Sequence, residues 1–279
     1  MEEVEIKYPL ARQDQLMQQL PSFRIIKQGA RKRGVERFYQ SKDKKTNVKI
    51  QMFKELDIAD QDLLLTILAM ALPVSRGNVL SAESKNHQEL WQKLKADGIF
   101  ASWETLRIET TFYELNKELN KARTKTSYKW IDESLERLLG TNIIIETEKY
   151  KGGSNFVSYH IDKETKRIHI AINPVSALVL IGDNKGFILH NRKERLSLKK
   201  TPSRALYSIL VGLVNIHNSR TISILVLIEK MHLANWGEKN KDQRKMLKRS
   251  FKSAITEINT LNLWTIKDNE NDTITINRK

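Results

Sequence analysis

Cysteine is absent from the 279 residues, which excludes disulfides, thiolate metal sites and cysteine nucleophiles together. Long apolar runs are also absent. Runs such as Ile222 to Ile228, interrupted by a serine, fall far short of the roughly 20 residues of a membrane span. The opening "MEEVEIKYPLARQ" is acidic and has no apolar signal-peptide core, so a cytoplasmic protein without a membrane partner is expected. No G-x-x-x-x-G-K-[ST] occurs, which leaves "GDNKG" as a turn and argues against an ATPase. Histidines are few, at 87, 160, 169, 190, 217 and 232, and none forms H-x-H or H-E-x-x-H. Neither a metal nor any other cofactor is expected. The chemistry of a nicking initiator, which would combine a histidine pair with a tyrosine, is not expected either.

Positive charge is what the chain has in excess. Forty-eight Lys and Arg stand against 33 Asp and Glu, a formal charge of +15, which attracts polyanions at long range and makes nucleic acid the first candidate partner. The length suits two domains of ordinary size.

The first 45 residues are highly charged and contain "GARKRG", with Arg31, Lys32 and Arg33 adjacent between two glycines; they read as a mobile or extended arm. "NVKIQMF" alternates like a strand. Asp57 or Asp60 can cap "DLLLTILAMAL", whose Leu63, Leu64, Ile67, Leu68 and Ala71 recur at helical spacing before a stop at Pro73 and Gly77. Helix "NHQELWQKLKADG", strand "TLRIETT", a helix headed by Thr111 with Glu114 as in a capping box, and helix "SYKWIDESLERLLG" capped by Ser127 follow. Strands "NIIIETE" and "FVSYHID" are then joined by a Gly152–Gly153 reversal, and "RIHIAINP" closes the unit. The order helix, turn, helix, hairpin is that of a winged helix.

The same order returns after "LIGDNKGF": a helix capped by Ser203, strand "RTIS", helix "ILVLIEKM", a long helix over 241–261, and a hairpin of "LWTIK" and "TITINR". The expected fold is α+β and mainly helical, with two tandem winged helices and small antiparallel hairpins. The expected division is a charged arm at 1–45, a first unit at 46–180 and a second, the main DNA reader, at 181–279.

Seven cations fall between Gly237 and Lys252: Lys239, Lys241, Arg244, Lys245, Lys248, Arg249 and Lys252. At 100° per residue, Leu247, Phe251, Ala254, Ile255, Ile258 and Leu261 share one face, while Lys245, Arg249, Lys252, Ser253 and Thr256 project the other way. A helix apolar behind and cationic in front suits a major groove between phosphate walls. Lys267 in the hairpin is a further candidate contact. The helix after Ser127 instead turns Lys129, Asp132, Glu133 and Glu136 outward with Arg137 at the edge, and its unit's cations gather ahead of it at Lys121, Arg123 and Lys125. Arg123, Lys125 and Lys129 are candidate phosphate contacts there, and the acidic face points to a protein surface. Scattered acids such as Asp60 and Asp62 read as caps or solvated groups. Trp236 and Trp264 bracket the basic helix and are expected to pack beneath it.

"GARKRG", "DQDLLLTILAMA", "IDESLERLLGTNIIIET", "RIHIAINPVSALVLIGDNKGFILHNRKERLSLKKTPSRALYSILVGLVN" and "TISILVLIEKMHLANW" together resemble the iteron-binding replication initiators of IncQ-type plasmids, a two-winged-helix group. The resemblance implies double-stranded DNA with direct repeats at a plasmid origin as partner, opening of adjacent A+T-rich DNA, and recruitment of a replicative helicase or other replication proteins. It also implies a possible homodimer through the first unit, and a non-enzymatic protein. A winged-helix repressor, and less so a nicking relaxase or nuclease, are the alternatives.

Overall fold

The computed structural model describes residues 6–27, 29–41, 44–72, 79–80, 105–149, 151–173, 176–177, 180, 186–233, 236–269 and 271–279. The helix expected over 86–98, the stop at Pro73 and Gly77, the strand end at Pro174, and the turn and domain joint at 181–185 lie outside them.

Helix α2 (Ile58–Ala71) is the centre of the first half. Asp57 accepts from the amides of Ala59 and Asp60, and Asp60 accepts from the Asp57 amide at 2.9 Å, a reciprocal cap. The expected apolar face is buried, but so are Leu65, Ala69 and Met70 on the other sides. A helix apolar all round has to be enclosed, and elements from both halves enclose this one.

Strand β4 (Thr46–Lys54) buries Val48, Ile50 and Met52 and turns Asn47, Lys49 and Gln51 outward, the two-residue alternation of a half-covered sheet. It lies between β3 (Arg33–Gln40) and β8 (Thr141–Thr147), and β9 (Lys151–Asn155) completes the order β3-β4-β8-β9. A second sheet has the order β10-β11-β7-β6, from β6 (Val79–Leu80), β7 (Thr105–Thr110), β10 (Val157–Ile161) and β11 (Ile168–Ile172). Helices α3 (Phe112–Glu118) and α4 (Lys125–Leu139) lie between β7 and β8 in sequence, and α4 buries Ile131, Leu135 and Leu138 against α2.

In the second half, α6 (Thr201–Leu213), β13 (Asn218–Ser223), α7 (Ile224–His232), α8 (Lys241–Ile258), β14 (Trp264–Asp268) and β15 (Thr273–Arg278) follow in order, and the strands pair as β13-β15-β14. Leu206, Leu210, Leu227, Phe251, Ile258 and Trp264 belong to a core distinct from that of the first half. Strand β12 (Phe187–Asn191) and helix α5 (Arg192–Ser197) join the halves.

Several expectations are corrected. The described residues among the first 45 are not an arm: β1 (Leu10–Asp14) pairs along β12, α1 (Gln15–Gln19) buries Met17, β2 (Phe23–Arg24) runs parallel to β5 (Leu56–Asp57), and β3 pairs with β4. Strands are therefore more numerous than a mainly helical reading has room for, and the fold is α+β. Gly152 and Gly153 do not turn the chain. They lie in β9, where a Cβ on Gly153 would stand 2.9 Å from Asn142 Oδ1 and 3.3 Å from Ile144 Cγ1, so the bare backbone permits the pairing with β8. "FVSYHI" pairs with "RIHIAI" instead, bringing His160 opposite His169. Helix α4 starts before Ser127: Thr124 is the cap and accepts from the Ser127 amide at 3.1 Å. Thr111 does cap α3, but Glu114 turns to the Thr110 hydroxyl rather than closing a box.

Asp60 and Asp62 are buried and paired, not solvated. Asp60 receives Arg137 Nη2 at 2.8 Å, Arg31 Nη1 at 2.8 Å and the Ser134 hydroxyl at 2.6 Å. Burial works to raise its carboxyl, and these donors outweigh that and hold it below the usual carboxylate range. Asp62 receives Arg195 Nε at 2.6 Å and Arg204 Nη1 at 2.8 Å, tying α2 to α5 and α6. Arg192 donates to Thr66 at 2.9 Å, to Glu118 and to the Tyr8 carbonyl. Two helices of the first half and the segment before β1 thereby meet one arginine of the joining segment.

Candidate nucleic-acid interface

Helix α8 begins on a reciprocal cap between Asn240 and Gln243 and ends at Ile258, one turn short of the expected 261. Phe251, Ala254 and Ile258 are buried, and Leu247 and Ile255 pack beside them, so the apolar face expected from spacing is the one that meets the core. Trp264 lies under the helix against Tyr207, and Trp236 is half-buried at its start.

The cations divide by what holds them. Lys241, Lys245, Arg249 and Lys252 are exposed and make no ion pair among the described residues. Arg244 and Lys248 stand over the Trp236 ring, at 5.6 Å and 5.8 Å from its centroid. Arg244 also donates to the Gly237 carbonyl at 3.2 Å, and Lys248 lies 3.9 Å from Asp272 at the tip of the β14–β15 hairpin. Lys239 is half-buried just before the helix, and Lys267 is exposed on β14. The hairpin turn carries Asp268 and Asp272 beside α8, so its tip adds negative charge to a positive face.

The C-terminal part of α8 is tied to the start of α6. Ser203 does not cap α6 from its own helix; it donates to Glu257 at 2.5 Å, and the same carboxylate accepts from the amides of Lys199 at 2.6 Å and Lys200 at 3.3 Å. A residue of α8 thus accepts from the amides of the N-cap of α6, Lys200, which has no side-chain cap bond of its own, and of the residue before it. Burial tends to raise the Glu257 carboxyl, but these donors overcome it and leave it below its ordinary value. Lys200 Nζ in turn donates to Ser253 Oγ at 2.7 Å.

In the first half, Arg123 stands over the Tyr113 ring at 4.6 Å and is exposed, as is Lys125. Lys129 is exposed and 3.9 Å from Glu133. Arg137, expected at the edge of the outward face, is buried on Asp60. The outward face of α4 is left with Asp132, Glu133 and Glu136, and Tyr159 on β10 has its phenol pushed up to about 12, chiefly by burial and then by Asp132 and Glu136. Arg31 is committed to Asp57 and Asp60, which removes it from any phosphate surface. Lys32 and Arg33 remain exposed, Arg33 at 6.0 Å over Phe53.

The profile of the Replication protein C (RepC) family matches residues 9–279. The chain belongs to that family. No curated protein matches it in sequence. Among solved structures, this RepC-family chain is similar to the Pi initiator protein in complex with iteron DNA, at a TM-score of 0.55 and 12% identity over 98% of each chain. It is also similar to domains 2–3 of RctB, at 0.55 and 9% over 95% of this chain and 96% of that one. Selenomethionine RctB domains 2 and 3 give 0.58 and 9% over 91% and 94%. At these identities the likeness is one of fold, and it runs through both halves. No described helix is long and apolar enough to cross a membrane.

Proposed function

We propose that this RepC-family chain is a plasmid replication initiator that binds direct repeats at its origin, with α8 as the groove-reading helix. The observation that carries the reading is the exposed, unpaired row of Lys245, Arg249, Lys252 and Lys241 on a helix whose opposite face is locked into a core and whose neighbour is a β-hairpin. The order of α6, β13, α7, α8, β14 and β15, with strands paired β13-β15-β14, supports a winged helix within residues 181–279. The order α2, β7, α3, α4, β10, β11, with strands paired β7-β11-β10, supports a second one within 46–180, interrupted by β8 and β9. The second unit is the main reader, because α4 presents carboxylates where phosphate would repel them.

The protein acts by binding rather than by catalysis, in the cytoplasm. It opens adjacent A+T-rich DNA and recruits a replicative helicase, and its first unit contacts partner proteins or a second copy. Within the family, the resemblance of sequence blocks favours the IncQ type. The test is footprinting of the full chain on its own plasmid's origin, with supercoiled origin DNA and magnesium or manganese in parallel. Protection of an array of evenly spaced direct repeats without nicking is the expected result. A single operator-like site would favour a repressor, and nicking would overturn the non-enzymatic reading.

A further inference from the structure

Lys245, Arg249 and Ser253 stand four residues apart and form one ridge of α8 about 12 Å long. Two of the three carry a positive charge, and the next residue on the ridge, Glu257, is a carboxylate turned to the Lys199 and Lys200 amides and the Ser203 hydroxyl. Lys200, 53 residues away in sequence, brings its ammonium to the Ser253 hydroxyl at 2.7 Å. The backbone around Lys200 is fixed, because Glu257 accepts the Lys199 and Lys200 amides and the Ser203 hydroxyl. Lys200 is exposed, and its ammonium makes no ion pair among the described residues. A lysine ammonium has three donors, and Ser253 uses one of them. Packing of α8 on α6 has thus set at Ser253 an ammonium that the sequence of α8 does not contain, with the Glu257 carboxylate engaged on the backbone amides behind it.

We propose that Lys200 is a DNA-phosphate contact of the α8 interface, positioned by Ser253 and Glu257 at the end of the ridge Lys245–Arg249–Ser253. The inference rests on the duplex-DNA reading of α8 and adds to it a residue from another helix. A point charge on an exposed stem contacts backbone rather than a base edge, so its contribution is the same for every sequence and is lost with salt.

The test is a set of anisotropy titrations of the full chain against a cognate repeat duplex and a scrambled one, at several salt concentrations. For the unsubstituted chain, a steep fall of log affinity with log salt is expected; no duplex binding at all would overturn the DNA reading itself. Given that binding, Lys200→Ala is expected to weaken both duplexes by the same factor and to lower the salt slope by about one, with Lys200→Arg restoring it. Ser253→Ala is expected to weaken both duplexes equally but less. A slope unchanged in Lys200→Ala overturns the inference while leaving α8 as reader. So does a loss confined to the cognate duplex, or a change only in the urea midpoint.

Discussion

Asp62 on α2 and Arg195 on α5, 133 residues apart in the chain, meet at 2.6 Å with both side chains almost wholly buried. The same carboxylate takes Arg204 of α6, and Arg195 continues to Gln61 and Ser208. A single acid on the central helix therefore holds the joining segment and the first helix of the second half. Helix α8 in turn rests on α6.

Asp62→Ala should accordingly destabilise the chain by about 3 to 5 kcal/mol, since it leaves the Arg195 guanidinium buried without its counter-charge. Arg204→Ala, which removes a partly exposed partner and leaves Asp62 still bound to Arg195, should cost clearly less. Urea unfolding of both variants checks the order, and equal losses would show that Arg195 is held adequately by its other acceptors.

His190 gives a pH dependence. It is fully buried on β12, and neither ring nitrogen has a hydrogen-bond partner among the described residues. Burial, with Arg195 and Arg278 nearby, pushes its pKa down to about 3. An unfolded histidine titrates near 6.5. Below that pH the unfolded chain takes up a proton that the folded chain refuses, so stability falls as pH falls, by about 1.4 kcal/mol per unit down to the folded value. Between pH 7 and 5 the loss from this group is about 2 kcal/mol. His232, also lowered by burial, adds in the same direction. In His190→Leu the difference in urea stability between pH 7 and 5 should shrink by about that amount, and an undiminished difference would refute the assignment.

These two groups mark where the sequence stops being informative. Apolar spacing identified the inner face of α8, because a helix reports its own period. Helix starts slipped by a few residues where two cap types compete, as Thr124 and Ser127 do. Strand β9 was hidden because Gly152 and Gly153 read as a turn, whereas their use is decided by Asn142 and Ile144 on the neighbouring strand. Asp60 and Asp62 read as caps or solvated groups, and Asp60 does share the cap with Asp57, but their burial on Arg137 and Arg195 was hidden because those partners are far off in sequence. The same holds for the interface. The charges of α8 were legible, while the bonds from Arg31 to Asp57 and Asp60, which withdraw one expected contact, and from Lys200 to Ser253 required the packing.

The acidic face of α4 should serve protein rather than DNA. Replacing Asp132, Glu133 and Glu136 together with lysine is expected to disturb self-association or binding to replication proteins before it weakens binding to a single repeat. Sedimentation and helicase co-purification, run beside a one-repeat titration, separate the effects. If every protein contact survives the reversal, α4 has no such role.

The sharpest test of the proposed reading of α8 falls on Arg249. Arg244 is occupied at Trp236 and the Gly237 carbonyl, and Lys248 is drawn to Trp236 and Asp272, so neither is free to probe the groove floor. Lys245 and Arg249 are exposed, unpaired and one turn apart on the side opposite Phe251 and Ala254. Of the two, the guanidinium offers the fork that guanine O6 and N7 accept. Arg249→Ala should cost about 1 to 3 kcal/mol at the cognate repeat and relax preference at one base position. Lys252→Ala should weaken cognate and scrambled duplexes alike and lower the salt slope by about one. Titration of both variants on both duplexes at several salt concentrations distinguishes them. Equal losses for Arg249→Ala on the two duplexes would make it one more phosphate contact and move base reading to Lys245, to the hairpin at Lys267 and Asn269, or to the first unit.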